Sequence, residues 1–244
     1  MRESKAPAVF VVFLGMLTIA AAVLAKASGQ PIQPWIQKAL WLGVPISGVL
    51  VVAPKRPLWA LGLTRFDGTG VAVAAVGSLA MLAGLAITAD GSPVFDVYAL
   101  WDGALRPAFT EELMFRGFAF GVLFWHVGWS FRSAMLVTGI VFGSLHLPGA
   151  IVGGHLDQAW GTALITTAGG CWFAWLYARW NRSLWVPIAT HFFMNAWWVI
   201  YTAGPTAGGG GAGATWGRVA AIVAISVATA KLTIPSTPQT SATE

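Results

Sequence analysis

Phe109-Thr110-Glu111-Glu112-Leu113-Met114-Phe115-Arg116-Gly117 places two carboxylates and a guanidinium inside a run that is otherwise as apolar as a lipid tail. A charge at the middle of a bilayer costs roughly 2.5–3.5 kcal/mol on insertion scales, so a membrane helix holding three needs a compensating contact or a chemical task. Glu112 and Arg116 are four positions apart with the acid first, which pairs them along one helix face. Glu111 is turned about 100° from Glu112 on such a helix, so a single arginine leaves it unbalanced.

The surrounding composition makes this a membrane question. Only 9% of the 244 residues are charged and 57% are hydrophobic, and mean hydropathy is +0.70. Soluble domains carry about 25% charged residues, so the chain reads as a single polytopic integral membrane domain over 1–244. Net charge is +5 because Lys and Arg fall between apolar runs, which argues against nucleic-acid binding. The one cysteine, Cys171, excludes an internal disulfide and cysteine-based zinc sites. Fourteen Trp suit interfacial belts and packed membrane helices.

The runs define the expected spans. The first, 7–25, ends near Ala25-Lys26-Ala27, a small-residue signature of signal cleavage. It exceeds the roughly 7–15 residues of a signal core, so a retained span is expected. The second covers about 35–53 and the third about 70–89, followed by a connector with Asp90, Asp96 and Asp102. The fourth, about 104–125, holds the Glu-Glu stretch; the fifth runs from Arg132 to His146, stopped by Pro148 and Gly149. The sixth (about 158–179) and seventh (about 184–203) precede a glycine-rich linker at 204–215. An eighth run at about 216–234 leads to a disordered tail at 235–244. The expected fold is all-α, a transmembrane bundle of about eight spans with its catalytic core in spans four to seven. The Lys/Arg bias puts both termini in the cytoplasm, the host membrane being a bacterial plasma membrane, and places Glu111 and His146 toward the outer face.

Two more spans carry reactive side chains. Phe142-Gly143-Ser144-Leu145-His146 ends the fifth, and His191-Phe192-Phe193-Met194-Asn195 puts an imidazole and an amide on one face of the seventh. His126 and His155 fall in loops or at span ends and read as bystanders. Glu111 held away from bulk water can act as general base on a water, with one imidazole positioning that water. The other imidazole and the amide can donate to the oxyanion of a tetrahedral intermediate. These are the parts for amide hydrolysis without a covalent nucleophile. The zinc-helix His-Glu-x-x-His pattern, the Gly-x-Ser-x-Gly elbow and the Gly-x-Gly-Asp motif of aspartyl intramembrane proteases are all absent. Zinc held by Glu111, His146 and His191 is an alternative chemistry that requires all three to converge.

Taken in order, Glu111-Glu112-x-x-x-Arg116, Phe142-x-x-x-His146 and His191-x-x-x-Asn195 resemble the CPBP (Abi) family of type II CAAX prenyl endopeptidases and bacteriocin-processing or immunity proteins. The resemblance covers about 100–200. It implies an eight-helix intramembrane endopeptidase acting on a membrane-bound protein or peptide, with CAAX-type prenylated tails one substrate class. By that likeness Glu111 is the base, His146 helps activate the water, His191 and Asn195 bind the oxyanion, and Glu112, Arg116 and Phe142 give structural support. The family has been described both as metal-dependent and as metal-independent; a metal-independent glutamate mechanism, with no cofactor, is the expectation here. Two other function classes stand beside it: a non-catalytic immunity or binding protein on the same scaffold, and a proton-coupled transporter.

Overall fold

The computed structural model describes residues 5–30, 33–88, 92–204, 206 and 209–233, and within these it is helical with no strand. Arg2, Asp90 and the expected tail at 235–244 lie outside the described residues. Five helices are long and apolar enough to cross a membrane: Ala6–Ala27, Trp35–Val52, Gly68–Thr88, Phe131–Val152 and Gly211–Leu232. The protein is therefore an integral membrane protein. The runs expected as spans four, six and seven are helical as well.

Helices α1 (Ala6–Ala27) and α2 (Pro34–Val52) pack side by side, and a short α3 (Pro57–Ala60) leads to α4 (Gly68–Thr88). A continuous helical rod follows. It comprises α5 (Val97–Leu100), a π-helical stretch Trp101–Leu105, α6 (Arg106–Glu112), and further π-helical stretches Leu113–Phe120 and Val122–Val127. Every residue from Glu112 to Phe124 is buried, so this rod is the axis around which the other helices stand. Apart from Glu112 and Arg116, this buried stretch is apolar all round, as an enclosed helix requires. Asp96 starts the rod by accepting from the backbone N–H groups of Tyr98 and Ala99, and Gly128, with φ of 82°, ends it. Long π-helical stretches are rare and concentrate at functional sites; the Leu113–Phe120 stretch begins directly after Glu112.

Ser130 caps α7 (Phe131–Ser144), and the chain continues through α8 (Leu147–Val152), α9 (Leu156–Arg179), α10 (Trp185–Ile200) and α11 (Gly211–Leu232). Pro148 does not stop the fifth run as expected. The chain turns at Leu145–His146 and resumes as α8 with Pro148 in its first turn, where the missing N–H would have had no helical acceptor. The glycine-rich stretch also turns helical earlier than expected, from Gly211. There Gly213 lies against Thr88, and a Cβ on the facing Gly84 would stand 2.6 Å from the Gly213 carbonyl. That close approach lets α11 lie along α4.

Arg182, in the turn between α9 and α10, is folded inward. Its guanidinium lies 3.9 Å from the Trp59 ring centre and 4.6 Å from that of Trp125, and it donates to the Ala60 carbonyl. Stitching of α10 and α11 to their neighbours comes from indole N–H groups: Trp172 donates to Ser226, Trp180 to Thr229 and Trp197 to Ser78.

Candidate active site

The α7–α9 packing sets the back wall of the site. Gly139 and Gly143 form a small-xxx-small face on α7. A Cβ at Gly143 would strike Thr167 and stand 2.6 Å from the Ala163 carbonyl, and one at Gly170 would stand 3.0 Å from the Gly139 Cα. With α9 drawn this close, the Gly170 carbonyl reaches the rod and accepts from Arg116 Nη2 at 3.2 Å.

Arg116 is the largest fully buried side chain, and Glu112 beside it has no exposed surface. Arg116 Nη1 donates to Glu112 Oε1 at 3.0 Å. The guanidinium lies 4.5 Å from the Phe142 ring centre and 5.1 Å from that of Phe173, so two aromatic faces complete its solvation. The pair expected from the four-residue spacing is formed, and Phe142 supports it.

Glu112 does more than neutralise Arg116. Its Oε1 also lies 2.8 Å from His191 Nδ1. The oxygen that accepts from Arg116 is the same one that meets His191, so it acts as acceptor to both and His191 carries its proton on Nδ1. The other ring nitrogen, Nε2, lies 4.0 Å from Glu111 Oε2. Phe173 stacks on the imidazole at 5.2 Å and 18°, fixing its plane. One turn along α10, Asn195 is half-buried and its side chain makes no hydrogen bond to any described residue. Glu111 keeps 19% of its side chain exposed, and its contact with His191 is the one polar approach recorded for it among the described residues.

His146 sits at the α7–α8 turn. Its Nδ1 lies 2.9 Å from the Phe142 carbonyl, an acceptor only, which assigns the proton to Nδ1 and leaves Nε2 with a lone pair. Its ring meets Phe142 edge-on at 4.8 Å, and Phe142 in turn meets Phe115 at 5.0 Å. Among the described residues no hydrogen bond joins His146 to Glu111 or His191; the connection runs through the Phe142 ring. His146 also lines a cleft of about 520 Å³ between α1, α2 and the α8–α9 region.

Of the residues singled out in the sequence, Glu111, Glu112, Arg116, His191 and Phe142 are thus gathered in contact, with Asn195 one turn away and His146 one ring away. Phe173 and Gly170 were not anticipated. A phenylalanine and a glycine in an apolar span look the same facing lipid as facing a site, so neither carried a signal. His155, read as a bystander, lines the cleft together with His146. The alternative zinc set is not assembled: zinc bonds to these ligands are about 2.0–2.2 Å long, and among the described residues no three His, Cys, Asp or Glu side chains are grouped to hold a metal ion.

Comparison with known proteins fits this geometry. Residues 93–197 match the family described as Type II CAAX prenyl endopeptidase Rce1-like. The matched region starts just before the rod and ends two residues after Asn195, so it contains all three motifs. The likeness to this family seen in the motifs is therefore found again over the whole region that builds the site. The chain is also 38% identical over 95 residues to the "Putative membrane peptidase YdiL" of Bacillus subtilis. That alignment covers 39% of this chain and 33% of the relative, so the chain matches about a third of the length of this curated protein. No solved structure matches.

Proposed function

We propose that this protein, whose residues 93–197 match the Rce1-like endopeptidases, crosses the bilayer eight times and hydrolyses a peptide bond in a membrane-associated protein or peptide. The observation that carries this reading is the division of labour between neighbouring carboxylates. Glu112 is consumed by Arg116 and His191, whereas the side chain of Glu111, just before it in the chain, makes no hydrogen bond to any described residue and faces His191 Nε2 at 4.0 Å. A structural charge cluster has no use for that second carboxylate.

In the proposed reaction a water bound beside Glu111 gives a proton to its carboxylate as the water oxygen attacks the substrate carbonyl. The oxyanion that forms accepts from the Asn195 amide N–H. His191 can donate from Nε2 only as an imidazolium, because its Nδ1 proton is committed to Glu112. Glu112 Oε1, 2.8 Å from Nδ1, holds the ring so that Nε2 faces Glu111. Collapse of the intermediate breaks the C–N bond, and Glu111 passes its proton to the leaving amine. His146, with Nε2 free to accept, orders the water or the substrate at the neighbouring wall. No step in this scheme passes through a metal ion.

The test compares membranes from cells expressing the native chain with those from cells expressing Glu111→Gln, by mass spectrometry of new protein termini. A set of termini present only with the native chain is expected; identical sets would overturn the reading. Chelation of the purified protein separates the chemistries, since activity lost on metal removal and restored by zinc would replace the glutamate mechanism.

A further inference from the structure

The cleft beside His146 has a chemistry of its own. Its polar lining consists of Lys26, Gln37, His146, His155, Thr162 and Thr206, and no Asp or Glu among the described residues lines it. The remaining walls are apolar, with Val23 and Leu145 among them. Lys26 stands in the last turn of α1, is exposed, and forms no ion pair with any described residue. Two other cations toward this end of the bundle, Lys38 and Arg106, are engaged by Asp102. The volume, about 520 Å³, suits several residues of an extended peptide rather than an ion or a single water.

We propose that this cleft receives a segment of the substrate polypeptide that bears a carboxylate, and that Lys26 reads it. The proposal rests on the peptidase reading for the word substrate, since His146 belongs both to the cleft wall and to the aromatic connection with Arg116. The argument is one of charge complementarity. An ammonium with no ion pair to a described residue, in a lining with no described carboxylate, favours an anionic side chain. The apolar wall takes the aliphatic residues that accompany it. A cation at such a partly exposed site discriminates by about fivefold, and the preference weakens as salt rises.

The test uses the full-length chain carrying Glu111→Gln, in phosphatidylcholine nanodiscs, with a pool of lipidated peptides randomised at each position. Bound peptides are sequenced by mass spectrometry. About fivefold enrichment of Asp and Glu over Asn and Gln is expected with Lys26 present, with loss in Lys26→Gln and a shift toward basic peptides in Lys26→Glu. Equal recovery of acidic and neutral peptides, or acidic enrichment that persists in Lys26→Gln, overturns the proposal. Enrichment abolished by adding phosphatidylglycerol to the nanodiscs marks Lys26 as a lipid headgroup contact and overturns it as well. The same pool offered to the chain with Glu111 intact tests the peptidase reading separately: acidic enrichment without any cleavage would remove the hydrolase and leave the binding preference standing.

Discussion

Glu112 Oε1 lies 2.8 Å from His191 Nδ1, joining residues 79 positions apart and fixing which nitrogen of the imidazole faces Glu111. The same oxygen accepts from Arg116, so one buried carboxylate holds both the guanidinium and the ring. The charge that looked like a structural counter-ion is also the residue that orients the candidate oxyanion donor.

Glu111→Gln keeps the shape of the side chain and removes the base. Cleavage should fall by roughly 10²–10⁴-fold, the usual contribution of a positioned general base. Thermal unfolding in detergent should be nearly unchanged, because the Glu111 side chain makes no hydrogen bond to any described residue. Full turnover by this variant would remove Glu111 from the mechanism.

Glu112→Gln tests the second task of that carboxylate. An amide can still contact Arg116 and His191 but does not stabilise an imidazolium. Turnover should drop by roughly 10–100-fold, the scale of losing a partner that orients a working imidazole. Turnover equal to that of the parent would show that Glu112 serves the fold alone.

Arg116→Met leaves Glu112 buried without its cation and should cost about 3–5 kcal/mol of stability. Combining it with Glu112→Gln removes the stranded charge, so the double variant should unfold later than Arg116→Met alone. Chemical unfolding of the three proteins measures this, and a double variant less stable than either single one would contradict it.

Gly143→Ala sets a methyl group against Thr167 and 2.6 Å from the Ala163 carbonyl. Forcing α7 from α9 should destabilise by about 1–3 kcal/mol. It should also reduce turnover, since the same packing brings the Gly170 carbonyl to Arg116. A Gly161→Ala control on α9, where a Cβ meets nothing within 4 Å, should match the parent in both.

Asp102, at the start of the rod, is held below the usual carboxylate range by its hydrogen bond to Arg106, with further help from Lys38. Its folded value lies under the unfolded one, so the stabilisation is complete above the unfolded value and is lost as pH falls through the folded value. At 38% exposure the pair is worth at most about 1 kcal/mol. Asp102→Asn should lower the unfolding temperature slightly at neutral pH, and the difference from the parent should vanish in acid; a gap that widens in acid would reverse this assignment.

The all-helical membrane class was legible from the apolar runs because a bilayer forces backbone polar groups to pair within a helix, so hydropathy and local structure coincide. The Glu112–Arg116 pair was legible because its two residues share one helix face. Both depend on neighbours in the chain. What was not legible depended on contacts between distant residues. Pro148 read as a stop, yet it sits where a new helix begins and its missing N–H does no harm. Gly170 and Phe173 carried no signal, because an apolar span reads alike on its lipid-facing and inward-facing sides. The sequence by itself determined which side chains were costly enough to need a purpose: two glutamates, an arginine, two histidines and an asparagine in hydrocarbon. Only the tertiary structure decided that Glu112 holds His191, because that choice turns on how α10 lies against the rod and which ring nitrogen meets which oxygen between the two helices.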